Sequence, residues 1–389
     1  MIKRSIFAII FFTVFSCFAQ ETEKLPGFSD KNLSDIDVNS IKLQIKRMNS
    51  SYSKAYREEA RDILIKMGNS ALPYIVSALN DNDFIVRGYA LEIIGESRDK
   101  KYTNTIAKVL EKNSDVYIKC KAIEALGKIK DPIAVKILLK YLKNESKNVQ
   151  YFAIWSIGEI GDNSYAKELW FGEKRQTIVK ELKPLLQSDD FYTKYYTIEA
   201  LGKIKDTSSL TQIREILRHS DAGIRGVAAA SLGVIGDSVV IPDLIVIIER
   251  DYEFSVRYKA AESLGKFKDI NTIFVLLKMF KDIESSNHLV GEIGLEKAGE
   301  IAIPALIEIL KDGNWQVQLS TIKLIGKIGS SSALPVLVEK LKDDNFLIKM
   351  SAINSIGQIG TEEAINILKN ITDESLKKYA QDAIINIRK

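Results

Sequence analysis

The apolar positions of this chain repeat along most of its length with a period of about 31 residues. Eight glycines mark the period, at separations of 32, 31, 44, 31, 32, 61 and 31 residues: Gly95, Gly127, Gly158, Gly202, Gly233, Gly265, Gly326 and Gly357. The residue before each glycine is apolar, and so is the residue four positions before it. The residue five positions before it is small, and the residue nine positions before it is mostly β-branched. These offsets form one stripe of an amphipathic helix, so the pattern predicts a helix ending near each glycine.

Polar residues flank the same glycines at fixed distances. Eight residues stand twelve positions before the glycines, and all of them except Glu253 are favoured helix N-caps. They are Asp83, Asp115, Ser146, Asp190, Asp221, Glu253, Asn314 and Asn345. Four positions later stands a residue that can cap a second helix: Asp99, Asp131, Asp162, Asp206, Asp237, Asp269, Ser330 or Thr361. The glycine itself suits the left-handed turn that ends a helix, so each unit is predicted to be two helices joined at a glycine turn.

Eleven such helix pairs fit the sequence, from residues 39–67 at one end to 362–387 at the other. The 61-residue interval holds two units, and the 44-residue interval holds one unit with about thirteen extra residues. No unit can bury its apolar stripe alone, so the units must stack. A length of 389 residues would otherwise suggest two or three domains, whereas the repeat predicts one all-α solenoid over residues 39–389. A hydrophobic fraction of 46% excludes disorder as the main state.

One unit carries a recognisable repeat motif. Residues 223–253, GIRGVAAASLGVIGDSVVIPDLIVIIERDYE, are similar to the short HEAT-like repeat first described in phycobilisome lyases. The resemblance covers residues 39–389. It implies a right-handed α-α superhelix in which the second helix of each pair, here the one that ends at the periodic glycine, lines the concave face.

The N-terminus has the features of an export signal: two basic residues, then an apolar run too short to span a membrane. We expect residues 1–19 to be a signal peptide cleaved between Ala19 and Gln20, and residues 20–38 to be a flexible leader. The alternative is lipoprotein processing at Cys17, and only then is membrane attachment expected. Either route predicts a periplasmic or extracellular protein.

Two units depart from the pattern. The long unit carries an insertion near 163–178 that contains Trp170 and Phe171. It is either a projecting functional loop or a loop packed onto its own unit. The unit at 285–299 has two glycines inside its expected helix, where each costs about 1 kcal/mol relative to alanine. It is either a hinge between the repeats on its two sides or a repeat that has drifted neutrally.

Residues suited to catalysis are few. The only histidines are His219 and His288, and neither is followed by glutamate. Some HEAT-like proteins resemble deoxyhypusine hydroxylase, a di-iron enzyme that uses several His-Glu pairs. Metal motifs and phosphate-binding loops are absent from the sequence, and Cys120 has no histidine near it in the chain. We therefore predict a protein that is not an enzyme and uses no cofactor or metal, with an inert Cys120.

A basic column stands eight positions before the periodic glycine: Arg87, Lys119, Lys194, Arg225, Arg257 and Lys349. It lies beside the apolar stripe, which favours half-buried pairs with loop aspartates over a phosphate site. The net charge of +4 is small beside 106 charged groups, so we expect no nucleic-acid binding.

The face opposite the apolar stripe supplies the candidate binding residues. The positions three, seven and ten before the glycine are rich in aromatic and acidic side chains, namely Tyr117, Glu124, Tyr151, Trp155, Tyr192, Tyr195, Glu199, Tyr258 and Glu262. Tyrosine and tryptophan are enriched at binding hot spots. We predict a monomer that binds a protein or peptide partner in this aromatic and acidic groove. The alternatives are a glycan or small ligand in the same groove, an unrecognised enzyme site, and aromatic residues that only pack between turns of the solenoid.

Overall fold

The computed structural model describes residues 38–144, 146–162, 173–283, 285–311 and 314–387. Within these ranges the regular secondary structure is helical, without a strand. The predicted signal peptide with Cys17, the leader up to residue 37, and the insertion residues Trp170 and Phe171 lie outside the described residues. The chain divides into two compact units, Met1–Ala125 and Leu126–Lys389.

Twenty-two α-helices lie in the described ranges. The first unit holds α1 (Val38–Arg47), α2 (Lys54–Met67), α3 (Leu72–Ala78), α4 (Phe84–Glu96), α5 (Thr103–Lys112) and the start of α6 (Val116–Ile129). The second unit continues with α7 (Ala134–Leu138), α8 (Lys147–Gly161), α9 (Glu173–Leu182), α10 (Phe191–Lys203), α11 (Leu210–Ile216), α12 (Ala222–Ile235), α13 (Ile241–Arg250), α14 (Phe254–Lys266), α15 (Ile270–Lys281), α16 (Asn287–Ala298), α17 (Ile303–Ile309), α18 (Trp315–Ile328), α19 (Leu334–Lys340), α20 (Phe346–Ile359), α21 (Glu362–Lys369) and α22 (Glu374–Ile387). Each odd-numbered helix is the first of a pair and the next is its second, which confirms the eleven predicted pairs.

The predicted capping residues act as expected at most positions. Asp83 and Asp190 accept hydrogen bonds of 2.8 Å from backbone N–H groups in the first turns of α4 and α10. Ser146 and Glu253 precede α8 and α14 without a side-chain capping bond. After the glycine, Asp237 accepts a hydrogen bond of 3.0 Å from the backbone N–H of Val239 in the 3-10 turn before α13. The sequence spacing therefore placed both helix starts of a unit correctly.

The prediction that the periodic glycines form left-handed turns is wrong. They lie inside the second helices, as Gly202 does in α10 and Gly233 does in α12. A Cβ atom on seven of the eight would stand less than 3.0 Å from the next second helix, and one on Gly357 would stand 3.1 Å from Ala383. A Cβ atom on Gly202 would stand 2.7 Å from Cβ of Ser231, and one on Gly158 would stand 2.8 Å from Cα of Ala200. The glycine is therefore required for close helix packing rather than for chain reversal.

The left-handed residue stands three positions later. Glycine occupies that position at Gly236, Gly329 and Gly360, with φ between 67° and 77°. At four further repeats it is a basic residue with φ between 52° and 57°: Arg98, Lys130, Lys205 and Lys268. In the long unit the equivalent Gly161 lies inside α8. A left-handed conformation costs about 1–2 kcal/mol for a residue with a Cβ atom. Four turns therefore carry backbone strain that three equivalent turns avoid.

Replacing Lys205 by glycine should raise the free energy of unfolding by about 0.5–1 kcal/mol, because glycine adopts φ near 57° without strain. Lys205 is exposed, so its side chain contributes little packing. The reciprocal change Gly236→Lys should lower stability by about 1 kcal/mol. Urea denaturation followed by circular dichroism measures both. A loss of stability in Lys205→Gly would contradict this account.

The irregular unit at 285–299 contains an ordinary second helix, α16. A Cβ atom on Gly291 would stand 2.5 Å from the carbonyl oxygen of Leu276, and one on Gly294 would stand 3.0 Å from that of Ala261. These two glycines therefore let α16 pack closely against α15 and α14. This packing role accounts for both glycines without a hinge.

Candidate functional site

Aromatic side chains from α8 and α10 form one cluster in the second unit. The ring of Phe191 lies 5.1 Å from that of Tyr192 and 5.9 Å from that of Tyr195, between centroids. Tyr192 in turn lies 5.4 Å from Tyr151, and Tyr195 lies 5.5 Å from Tyr196. Such contacts each stabilise by about 0.5–1.5 kcal/mol beyond their area burial. The structure thus brings together three predicted groove residues, with Phe191 and Tyr196 added.

Tyr151 is the buried member of this cluster and is not a surface residue. Only 8% of Tyr151 is exposed, and its hydroxyl donates a 2.9 Å hydrogen bond to Asp190. Burial raises the pKa of Tyr151, and the bond to the Asp190 carboxylate raises it further. The prediction that Tyr151 faces a groove is therefore wrong. Tyr151 is buried by the packing of its neighbours and by its hydrogen bond to Asp190, whose carboxylate also caps α10.

The other predicted aromatic residues are half-buried. Tyr258 of α14 contacts Phe254 with ring centroids 5.9 Å apart, and Trp155 of α8 is partly exposed. In the first unit Tyr117 packs edge-on against Phe84 at 5.7 Å, and its ring covers Gly88. These positions keep part of each ring available at the surface.

The predicted carboxylates are all paired with lysines. Lys121 lies 3.2 Å from Glu124, and Lys203 lies 2.8 Å from Glu199. Glu262 is held between two lysines at 3.3 and 3.4 Å, Lys259 and Lys266. Paired charges at this partial burial leave little free negative surface.

These pairs shift the pKa values of the groups involved. Burial alone would raise the pKa of Glu262, but Lys259 and Lys266 lower it below its usual value. Burial alone would lower the pKa of Lys203, but Glu199 and Glu159 raise it. The prediction that the groove is acidic is therefore wrong. The face is aromatic and charge-balanced, because lysines one turn away neutralise its carboxylates.

An exposed aromatic column was missed by the sequence reasoning. It occupies the first residue of several second helices, eleven positions before the periodic glycine, at Phe84, Phe191, Phe254, Trp315 and Phe346. Their exposed fractions lie between 36% and 46%. At 100° per residue, offset 11 falls on the same helix face as offsets 3, 7 and 10. The periodicity contained this signal, one position beyond the offsets that were considered.

The basic column beside the apolar stripe is structural. Arg225 forms a bidentate pair with Asp251, at 2.7 and 3.0 Å, and donates to the backbone carbonyls of His219 and Ser220. Arg87 likewise donates to two backbone carbonyls of the preceding loop. The expected pairing with a loop aspartate therefore holds at Arg225, whereas Arg87 binds the loop backbone.

Groups suited to catalysis have structural partners. Cys120 is buried, and burial raises the pKa of its thiol to about 12. His219 accepts a 3.0 Å hydrogen bond at Nδ1 from the backbone N–H of Asp221, and His288 contacts the carbonyl of Phe280. Across the described ranges, histidine, cysteine and carboxylate groups form no cluster of three that could hold a metal ion. None of the helices in those ranges is both long enough and apolar enough to span a membrane.

Comparison with known proteins gives concordant results. Among curated proteins, a deoxyhypusine hydroxylase from Candida albicans is 25% identical over 238 residues, which are 56% of this chain and 75% of the relative. The complex of CpcE and CpcF of phycocyanin lyase from Nostoc has 19% identity and a TM-score of 0.42, covering 60% of this chain and 92% of that one. Yeast importin-beta has 12% identity and a TM-score of 0.50, covering 90% of this chain and 57% of that one.

The model of HEAT repeats matches most of the chain, at residues 103–170, 179–265, 212–287 and 303–388. These segments overlap the observed helix pairs and confirm the resemblance to HEAT repeats. The chain therefore belongs to the HEAT-repeat family.

Proposed function

We propose that this chain is a non-enzymatic HEAT-repeat scaffold that binds a protein or peptide partner through the exposed face of its second helices. The exposed aromatic column is the observation that carries the proposal. Five large rings stand partly in solvent at equivalent positions of five second helices. Aromatic residues supply much of the binding energy at protein interfaces, so these rings are candidate contact residues.

The residue inventory supports a binding role over catalysis. The chain has only two histidines, neither in the His-Glu pairs expected of a deoxyhypusine hydroxylase. The carboxylates of the candidate face are engaged by lysines, as are Glu92 and Glu159 beside them. Metal analysis of the purified protein tests this part of the proposal. Two equivalents of bound iron together with hydroxylase activity would contradict it.

Replacing Phe191 and Phe254 together by alanine should weaken capture of the partner about 100-fold, or about 2.7 kcal/mol, because both rings are exposed anchors. Affinity capture from the native envelope, quantified by mass spectrometry, measures the loss. The matched control is Val246→Ala with Phe274→Ala, two residues at least as exposed on first helices.

The control variant should capture the same proteins as the unmodified chain. The Phe191 and Phe254 variant should unfold at a lower temperature, because Phe191 loses its ring contacts with Tyr192 and Tyr195 and Phe254 loses that with Tyr258. Capture is therefore compared at a temperature at which circular dichroism shows all three proteins fully folded. Equal capture by all three proteins would contradict the proposal. Retention of glycans on an array, without a protein partner, would favour the glycan alternative.

We propose further that the protein is exported. The support is the basic, then apolar, then small-residue order of its first 19 residues. Intact-mass measurement of protein from the native envelope should give a chain that begins at Gln20. A lipidated chain beginning at Cys17 would replace simple cleavage by membrane anchoring, and an unprocessed Met1 in the cytosol would contradict export.

A further inference from the structure

The second helix α12 interrupts the aromatic pattern of its two neighbours. It packs between α10 and α14 within the second unit. At offsets eleven, seven and three it carries Ala222, Gly226 and Ala230, where α10 and α14 carry phenylalanine, tyrosine and glutamate. Three small residues therefore form the floor of a slot, and the larger side chains of α10 and α14 form its walls. We call this feature the α12 slot.

The floor of the α12 slot is open. A Cβ atom placed on Gly226 would meet no other atom within 4 Å, in contrast to Gly233 of the same helix, which faces Ser263. At the N-terminal end of α12 the ring of Phe191 lies against Gly223, 3.2 Å from the position of its Cβ atom. The slot is thus bounded at one end and unfilled along its middle.

The width of the slot limits what can enter it. Packed helices have axes about 8–10 Å apart, so α10 and α14 are about 16–20 Å apart across α12. Each wall helix with its side chains has a radius of about 5–6 Å, which leaves about 4–10 Å. That width accepts an extended chain. It is too narrow to enclose a helix about 10–12 Å across.

The polar groups of the walls fit the backbone of an extended chain. Tyr195 and Tyr258 stand at the same position of the two walls, and neither hydroxyl has a hydrogen-bond partner among the described residues. An extended segment carries free backbone N–H and C=O groups that need such partners. The wall carboxylates Glu199 and Glu262 already have lysine partners, and the floor has no charged group. The slot therefore offers hydrogen bonds and apolar contact without an unpaired carboxylate.

We propose that the α12 slot binds an extended, uncharged apolar segment of a protein partner, with a large side chain against Gly226. This inference rests on the proposed function and names the part of the face, and the kind of segment, that would be involved. In an extended segment successive side chains point to opposite sides, so alternate side chains would face the floor of the slot.

The test is to pan a phage-displayed library of random nonapeptides on the mature chain. Enriched peptides should carry large apolar residues at alternate positions and no net charge. Gly226→Leu should weaken their binding at least tenfold without lowering the unfolding temperature, because leucine fills the slot and suits a helix better than glycine. The pair Tyr195→Phe and Tyr258→Phe should weaken it about tenfold, since only two hydroxyls are removed.

Failure to enrich any peptide, enrichment of charged or helically spaced peptides, or unchanged binding to Gly226→Leu would overturn the slot. The proposed function fails separately. If a native partner is still captured through Phe191 and Phe254 by the Gly226→Leu protein, the slot is wrong and the scaffold proposal stands. If the unmodified chain captures no partner at all, the scaffold proposal itself fails.

Discussion

Replacing Asp251 by alanine should lower the free energy of unfolding by about 3–5 kcal/mol, the largest loss expected of a single carboxylate here. The side chains of Arg225 and Asp251 are only 6% and 5% exposed, and they share two hydrogen bonds. Without Asp251 the guanidinium of Arg225 stays buried and loses its carboxylate partner, keeping the two backbone carbonyls and the ring of Tyr252. Urea denaturation measures the change.

The matched control is Asp243→Ala. It breaks the ion pair of Asp243 with Arg214, in which the side chains are 28% and 39% exposed, respectively. The free energy of unfolding should fall by less than about 1 kcal/mol. Equal losses in the two variants would contradict a special role for burial.

The same pair predicts a pH dependence. Burial alone would raise the pKa of Asp251, but hydrogen bonds from Arg225 and from the Glu253 backbone lower it. A carboxyl group with a lowered pKa in the folded state stabilises the fold above its unfolded value, near 3.9. That stability is lost as the pH falls through the folded pKa. The difference between the unmodified chain and Asp251→Ala should therefore shrink below about pH 4.

Replacing Gly233 by valine should cost about 3 kcal/mol. The new Cβ atom would stand 2.8 Å from Cα of Ser263 on α14, and the branched side chain adds two methyl groups where no space exists. Helix α14 would have to move away from α12. A lower unfolding temperature measures the effect.

Gly226→Ala in the same helix is the control. It should raise stability by about 1 kcal/mol, because nothing lies within 4 Å of the new atom and alanine favours the helix. A similar loss of stability in both variants would show that α12 needs these glycines for its backbone conformation alone and not for close packing.

The glycine column shows how far periodicity alone could lead. The spacing predicted the number of pairs, the stripe of buried residues and most helix caps, because these depend on local pattern and on the need to stack. It placed the periodic glycine in a turn, because glycine often ends a helix. Contact with the next repeat decided otherwise, since Gly202 must meet Ser231 closely. Such long-range packing is not contained in the pattern of a single unit.

The candidate face also combines features that the sequence predicts with features that depend on packing. The face itself could be predicted from helical periodicity, and it includes Tyr195 and Tyr258. The burial of Tyr151 and the pairing of Glu199 with Lys203 depend on side-chain packing and on the neighbouring turn. The exposed ring of Phe254 could have been found from its offset. The slot over α12 becomes visible only when three adjacent repeats are compared at the same positions.

The most direct test of the scaffold proposal compares two exposed phenylalanines by site-specific photo-crosslinking. Benzoylphenylalanine would replace Phe254 on second helix α14 in one variant and Phe274 on first helix α15 in the other. Phe274 is the more exposed, at 65% against 38%, so random collision favours it. The account predicts a discrete crosslinked protein from position 254 and none from position 274. A discrete product from position 274 alone, or equal products from both positions, would contradict it.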